Sequence, residues 1–214
     1  MKRENSNLKT MKNHKSNLNI MKSTKFFISA LFCLALVTSF TSCSDDDDPA
    51  PVNEEEIITT LTLTFVNTAN PLDFVVLNSF AADGLEDGMS TETITGNFTA
   101  GVTYALSLSL LNTSENPAED VLNGDIIPEA DEHFFAYAVN GLDMTMTRDA
   151  GDVDGPSGSK LGVNTTWVAN SAGTGNLQIR LIHEPTTVDD SDEFGSATGG
   201  SEDFNITFTG VNIN

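Results

Sequence analysis

The chain of 214 residues contains only two cysteines, Cys33 and Cys43. Cys33 lies in an apolar run near the N-terminus, and segments of this kind are removed during export. The exported chain would keep one cysteine, which excludes an intrachain disulfide. Stability must therefore come from a packed core. Residues 57–214 suffice for one domain, and a domain of this size buries about two-thirds of its surface on folding.

Positive charge is also scarce. From Cys43 onward the only basic residues are Arg148, Lys160 and Arg180, against thirty acidic residues, which gives a formal net charge of −27. Such a charge excludes nucleic acid as a natural partner. It also opposes adhesion to anionic lipid headgroups. Three explanations of the negative charge remain open: attraction of cations, attraction of basic protein surfaces, and solubility.

Long apolar runs are missing as well. The longest covers residues 26–37, twelve positions, which is too short to span a bilayer but typical of the apolar part of a signal peptide. Residues 21–25, MKSTK, form a compact basic start before it. We therefore expect a signal peptide over residues 1–42, with Met21 as the true first residue.

The residues after this run resemble a bacterial lipobox. They read Phe40-Thr41-Ser42-Cys43, with Phe40 where leucine is more common, and the resemblance implies lipidation of Cys43. The following residues resemble the export signal of Bacteroidota lipoproteins, which directs them to the outer membrane and often to the cell surface: Ser44, Asp45, Asp46, Asp47 and Asp48. An ordinary secretory signal with a chance cysteine is the alternative. Residues 43–56 lack an apolar period and are interpreted as an acidic tether.

The remaining chain has the two-residue period of β-strands. Leu61, Leu63 and Phe65 alternate with threonines, and residues 104–110 alternate in the same way. About eight or nine such segments, separated by Gly-, Asn- and Asp-rich turns, predict an all-β fold, an antiparallel β-sandwich of immunoglobulin-like or jelly-roll style over residues 57–214. A small β-barrel is the alternative. At most one short helix is expected, over residues 116–122.

Two histidines provide the first candidate site. His133 stands where a predicted strand begins and His183 where another ends, and His183 shares the parity of the apolar residues on its strand. Imidazoles with adjacent carboxylates are typical ligands of zinc and other divalent transition metals. The candidate ligands are His133, His183, Asp131, Glu132 and Glu184. The alternative is two histidines that are hydrogen-bonded to neighbouring acids.

An acidic turn provides a second candidate. Its carboxylates, Asp149, Asp152 and Asp154, precede glycine in the manner of oxygen-ligand calcium loops. The spacing differs from that of an EF-hand, so only a looser calcium-stabilised turn is considered. A simple Asp/Gly hairpin is the alternative.

From residue 54 onward the chain resembles a small family of flavobacterial lipoproteins, through the segments DEHFF at 131–135, LG at 161–162 and LIHEP at 181–185. Members often carry the label "type 1 periplasmic binding fold superfamily protein". That fold has two α/β lobes and a much longer chain, and the absence of βαβ alternation here argues against it. The resemblance implies proximity to TonB-dependent outer-membrane receptors.

These observations predict a non-enzymatic outer-membrane lipoprotein that captures a ligand for a TonB-dependent transporter, with a metal bound at the two histidines. The alternative is a structural or interaction lipoprotein at the cell surface that has no small ligand and is stabilised by calcium in its acidic turns. A surface-tethered hydrolase is the remote alternative, because no nucleophile motif is identifiable.

Overall fold

The computed structural model describes residues 56–191 and 193–214. Within this part lie twelve strands: β1 Thr60–Asn67, β2 Phe74–Phe80, β3 Thr91–Thr95, β4 Val102–Asn112, β5 Glu119–Asp120, β6 His133–Asn140, β7 Asp143–Arg148, β8 Thr165–Ser171, β9 Gly173–His183, β10 Thr187–Asp189, β11 Ser196–Thr198 and β12 Ser201–Ile213. A one-turn π-helix covers Leu122–Ile126 and a 3-10 turn covers Pro156–Gly158. In the described ranges, no helix has the length and apolarity needed to cross a bilayer.

The segments predicted from the N-terminal sequence cannot be compared with this structure. The signal peptide over residues 1–42, the lipidated Cys43, the export signal at residues 44–48 and the tether as far as residue 55 lie outside the described residues.

The longer strands form two antiparallel sheets. The first has the order β3-β2-β1-β4-β8-β7, with β5 paired to the end of β4, and the second has the order β12-β9-β6. This arrangement confirms the predicted all-β sandwich. The first sheet ends at two strands, β3 and β7, so it stays open and does not form the alternative barrel. Nine strands have five or more residues, as predicted, and only the short β5, β10 and β11 were not anticipated.

Alternation decides which side chains fill the space between the sheets. In β1 every second residue is buried, and Leu61, Leu63 and Phe65 are fully so. Trp167 of β8 lies at the centre of the core with no exposed surface, in edge contact with Phe65 and Tyr137. Burial of these apolar side chains is the main contribution to the stability of such a fold. The outer face of β6 and β9 is covered separately by the β10–β11 hairpin.

The predicted helix over residues 116–122 is wrong. Glu119 and Asp120 instead form β5 and pair with the last residues of β4, so the free edge of β4 takes their backbone hydrogen bonds. The helical turn begins later, at Leu122. The carboxylate of Asp120 accepts a hydrogen bond from the amide of Asn123 at 3.2 Å, which satisfies one of the donors that a helix start leaves unpaired.

Two irregularities interrupt β12. In the sequence, Gly210 separates two apolar phases of the last strand and predicts a bulge, and a register shift against β9 between Thr209 and Val211 confirms it. A second shift, not predicted, lies between Glu202 and Phe204. Because of it, the neighbours Asp203 and Phe204 are both buried, whereas regular alternation would place one of them outside.

Arg148 at the end of β7 connects three segments of the chain. Its guanidinium donates hydrogen bonds to the backbone carbonyls of Lys160 (3.0 Å) and Phe135 (2.6 Å) and lies 4.5 Å above the ring of Phe134. Gly162 leaves room for this side chain, since a Cβ at that position would overlap Nη1 of Arg148. Its φ of +99° also favours glycine.

The substitution Gly162→Ala should therefore destabilise the fold by about 3 kcal/mol or more, because it adds a steric conflict with Arg148 to the backbone strain. Urea denaturation measures this loss. Gly101→Ala is the matched control: its φ is +78° with nothing within 4 Å of the added Cβ, so only the backbone term of about 1–2 kcal/mol is expected. Equal losses for both variants would contradict the role assigned to Arg148.

Candidate metal centre

The pairing of β6 with β9 brings the two histidines together. His133, the first residue of β6, lies directly opposite His183, the last residue of β9. The two imidazole rings are stacked, with centroids 4.7 Å apart and planes 11° from parallel. The odd-numbered positions next to them, Phe135 and Leu181, belong to the main core. The predicted inward orientation of His183 at the rim of its strand is thus confirmed.

A backbone contact fixes the orientation of the His133 ring. Nδ1 of His133 lies 3.0 Å from the carbonyl oxygen of Glu129. A carbonyl can only accept, so Nδ1 carries the hydrogen and the neutral ring has its lone pair on Nε2. His133 has no exposed surface, and Nε2 makes no hydrogen bond. The buried Nε2 of His133 therefore has a free lone pair, which is the group that a histidine uses to bind a metal ion.

Two carboxylates face this nitrogen. Nε2 of His133 lies 3.7 Å from Oε2 of Glu56 and 3.9 Å from Oδ2 of Asp203. A direct charge-assisted hydrogen bond would be about 2.7–2.9 Å long, so both gaps are too wide for one. Two ligands of a single zinc ion, each about 2.0–2.2 Å from it, lie roughly 3–3.5 Å apart. Small side-chain shifts would therefore place an ion between these three groups.

His183 contacts a carboxylate on each side of its ring. Nδ1 lies 4.0 Å from Oδ1 of Asp203, and Nε2 lies 3.6 Å from Oε2 of Glu132. Metal-binding histidines usually donate their other ring N–H to a carboxylate or a carbonyl, which fixes the ring. The carbonyl of Glu129 takes that place for His133, and Oε2 of Glu132 lies on the Nε2 side of His183. We call the group of Glu56, His133, His183 and Asp203 the His–carboxylate cluster.

The described residues contain only three basic side chains, and each of them has contacts outside the cluster. Arg148 is bound to backbone carbonyls, Lys160 pairs with Asp154, and Arg180 pairs with Glu202. With both imidazoles neutral, the two carboxylates leave a net charge of −2. The carboxylate side chains are only 9% and 2% exposed, and buried charges of this kind need compensation. A divalent cation would supply it.

A cleft of about 170 Å³ lies beside the cluster. Glu56 and Asp203 form part of its wall, and Asp83 and Glu86 contribute further acidic residues to the lining. A negatively charged, concave surface raises the local concentration of cations. Because Glu56 and Asp203 belong both to the cluster and to this wall, the acidic cleft adjoins the cluster directly.

The residues predicted from the sequence are distributed over two groups. His133 and His183 lie in the His–carboxylate cluster, whereas Glu132 and the exposed Glu184 form a second group around His183, with ligand atoms within 4.8 Å of one another. Asp131 is exposed and belongs to neither group. Sequence reasoning missed Glu56, which was assigned to the tether, and Asp203, which only the bulge in β12 turns inward.

The three carboxylates of the predicted calcium turn have different partners in the structure. Asp152 is buried and accepts hydrogen bonds from the amides of Gly162 (2.6 Å) and Asn164 (2.8 Å). Asp154 pairs with Lys160 at 2.7 Å, and Asp149 accepts a hydrogen bond from the Thr166 hydroxyl. These contacts stabilise the loop itself, and the three residues do not form a group of potential ligands in the described part of the chain.

Comparisons of the chain with protein families, with curated proteins and with solved structures find no match. The resemblance to flavobacterial lipoproteins therefore stays a prediction, and the geometry of the site carries the functional interpretation.

Two members of the cluster, Glu56 and His133, contribute to the pKa of Asp125 on the π-helix. Burial, followed by the charges of Glu119 and Glu56, raises its pKa above the ordinary value, while His133 acts in the opposite direction. A carboxyl whose pKa is raised on folding contributes stability at acid pH, and this is lost as the pH rises through the raised pKa.

Asp125→Asn should therefore leave stability nearly unchanged at pH 3 and increase it at pH 7. The increase should be no more than about 0.5 kcal/mol, because solvent screens this partly exposed group. Urea denaturation in the presence of a chelator measures both values. Asp87→Asn, in an exposed loop, is the control and should be neutral at both pH values. A variant that loses stability at pH 7 would contradict the predicted repulsion.

Proposed function

We propose that this protein is a non-enzymatic lipoprotein of the outer membrane whose β-sandwich binds a divalent transition-metal ion at the His–carboxylate cluster. It would act as an accessory or capture module, with a TonB-dependent transporter as partner. The observation that carries the metal-binding part is the buried Nε2 of His133, which makes no hydrogen bond and faces two carboxylates.

The donor set favours a transition metal over calcium. Calcium takes six to eight oxygen ligands, whereas this cluster combines two imidazole nitrogens with two carboxylates. Zinc accepts nitrogen and carboxylate ligands together in four-coordinate sites, and other first-row divalent ions bind similar sets. Two carboxylates would also neutralise the charge of such an ion. Zinc is therefore the first ion to test.

The location and the partner are proposed from the sequence. Cys43 and the acidic residues after it support lipid anchoring and outer-membrane export. A diacylated or triacylated cysteine would hold the domain at the membrane durably, since each buried CH₂ contributes about 0.8 kcal/mol. A lipid-anchored protein that holds a metal ion would be suited to deliver it to a transporter in the same membrane.

Zinc titration of the full lipoprotein in mild detergent tests the site. We expect saturable binding, and a loss of affinity of at least about 100-fold in His133→Gln/His183→Gln, because both nitrogen ligands are removed. Asp154→Asn is the matched control, which removes a carboxylate outside the cluster and should bind zinc normally. Asp203→Asn, checked by circular dichroism, replaces the double variant if that fails to fold. Unchanged affinity in the folded variants would favour the alternative, a surface lipoprotein without a small ligand.

A pull-down of the wild-type lipoprotein from its native membrane, followed by mass spectrometry, tests the partner. A TonB-dependent receptor should be recovered in near-stoichiometric amount. Cys43→Ser is the control, which should leave the membrane fraction and lose the receptor. Recovery of the wild-type protein alone would contradict the transporter role but not metal binding.

A further inference from the structure

We propose that Glu56 is an oxygen ligand of the ion and that ion binding therefore fastens the base of the tether to the sandwich. This inference rests on the proposed metal-binding function and adds a regulatory consequence to it. Occupancy of the site would fix the point at which the anchor segment joins the domain.

The side chain of Glu56 points inward, although the sequence places this residue at the end of the acidic tether. Oε2 of Glu56 lies 3.7 Å from Nε2 of His133, is buried and makes no hydrogen bond. A buried carboxylate oxygen without a hydrogen bond is costly. A cation that binds both Glu56 and His133 would remove this cost.

The backbone hydrogen bonds that attach the start of the described chain to the sandwich begin only after Glu56. Within the described residues, the first backbone hydrogen bond runs from the amide of Leu85 to the carbonyl of Ile58, at 2.8 Å. The next runs from the amide of Thr59 to the carbonyl of Leu111. Ile57 is 57% exposed. Glu56 therefore precedes the first backbone anchor by two residues, so an ion bound to its side chain would add a connection to the sandwich.

Electrostatics make this connection dependent on a cation. Glu56 and Asp203 both lie within 4 Å of the same nitrogen of His133, so their negative charges repel each other when both carboxylates are ionised. The charge of Glu56 also contributes to the raised pKa of Asp125. An ion between the carboxylates replaces this repulsion with attraction to both. The ion would therefore stabilise the inward position of Glu56.

Glu56 would also close the site toward solvent. The other members of the cluster supply three ligands, and Glu56, which lines the cleft, would supply the fourth. A zinc site with four protein ligands is closed, whereas one with three keeps an open position. Closure on the side of the cleft would slow release of the ion and at the same time hold the tether base across the cleft.

The test is hydrogen–deuterium exchange of the full lipoprotein in mild detergent, with and without saturating zinc, together with zinc titration. In the wild-type protein, zinc should slow exchange in the peptide covering residues 53–58 by at least about tenfold. Glu56→Gln should bind zinc at least about tenfold more weakly and show no such slowing at saturation. Glu86→Gln, which removes an acidic residue of the cleft lining outside the cluster, is the matched control and should behave like the wild type.

The outcomes separate this inference from the proposed function. If the wild-type protein does not bind zinc or another divalent transition metal, both fail. If it binds and Glu56→Gln retains the same affinity and the same slowing, metal binding stands and the role of Glu56 is wrong. Weaker binding with the slowing retained would show that Glu56 acts only through its charge, and this also overturns the fastening of the tether.

Discussion

The antiparallel register between β6 and β9 is the constraint on which the site depends. It places His133 opposite His183, so that two residues fifty positions apart present their imidazoles side by side. A shift of one residue would turn one strand's side chains to the other face. Phe135 and Leu181, two positions from the histidines on the same strands, lie in the core, so the same burial that stabilises the sandwich also holds the two rings together.

Charge is the second constraint, and it links the site to the tether. The sequence after Cys43 has three basic side chains, and the structure uses each of them elsewhere. The buried carboxylates of Glu56 and Asp203 lie within 4.0 Å of the imidazole nitrogens. Because the chain has only three basic side chains after Cys43, a metal ion bound at the cluster would also stabilise the fold. Glu56 stands at the start of the described domain, so an ion bound to it would also affect how the domain is joined to the tether.

Sequence reasoning was wrong or incomplete where tertiary contacts override local pattern. The residues at 119–120 have helix-start chemistry, but the open edge of β4 binds them as a strand. Asp152 resembles a calcium ligand in its acidic turn, but the amides of Gly162 and Asn164 satisfy its carboxylate. The two-residue period of a strand does not predict that Asp203 is buried, because a bulge turns both Asp203 and its neighbour Phe204 inward. None of these outcomes has a signal within a short stretch of sequence.

The sequence by itself determined the strands, their buried faces and the inward orientation of His183, because alternation is a local property that each strand carries independently. It also showed that the chain after Cys43 has only three basic side chains. The tertiary structure alone decided that His133 meets His183 and that Glu56 and Asp203 join them. The physical reason is that register, bulges and edge pairing depend on which strands become neighbours, and this is set by the packing of the whole sandwich.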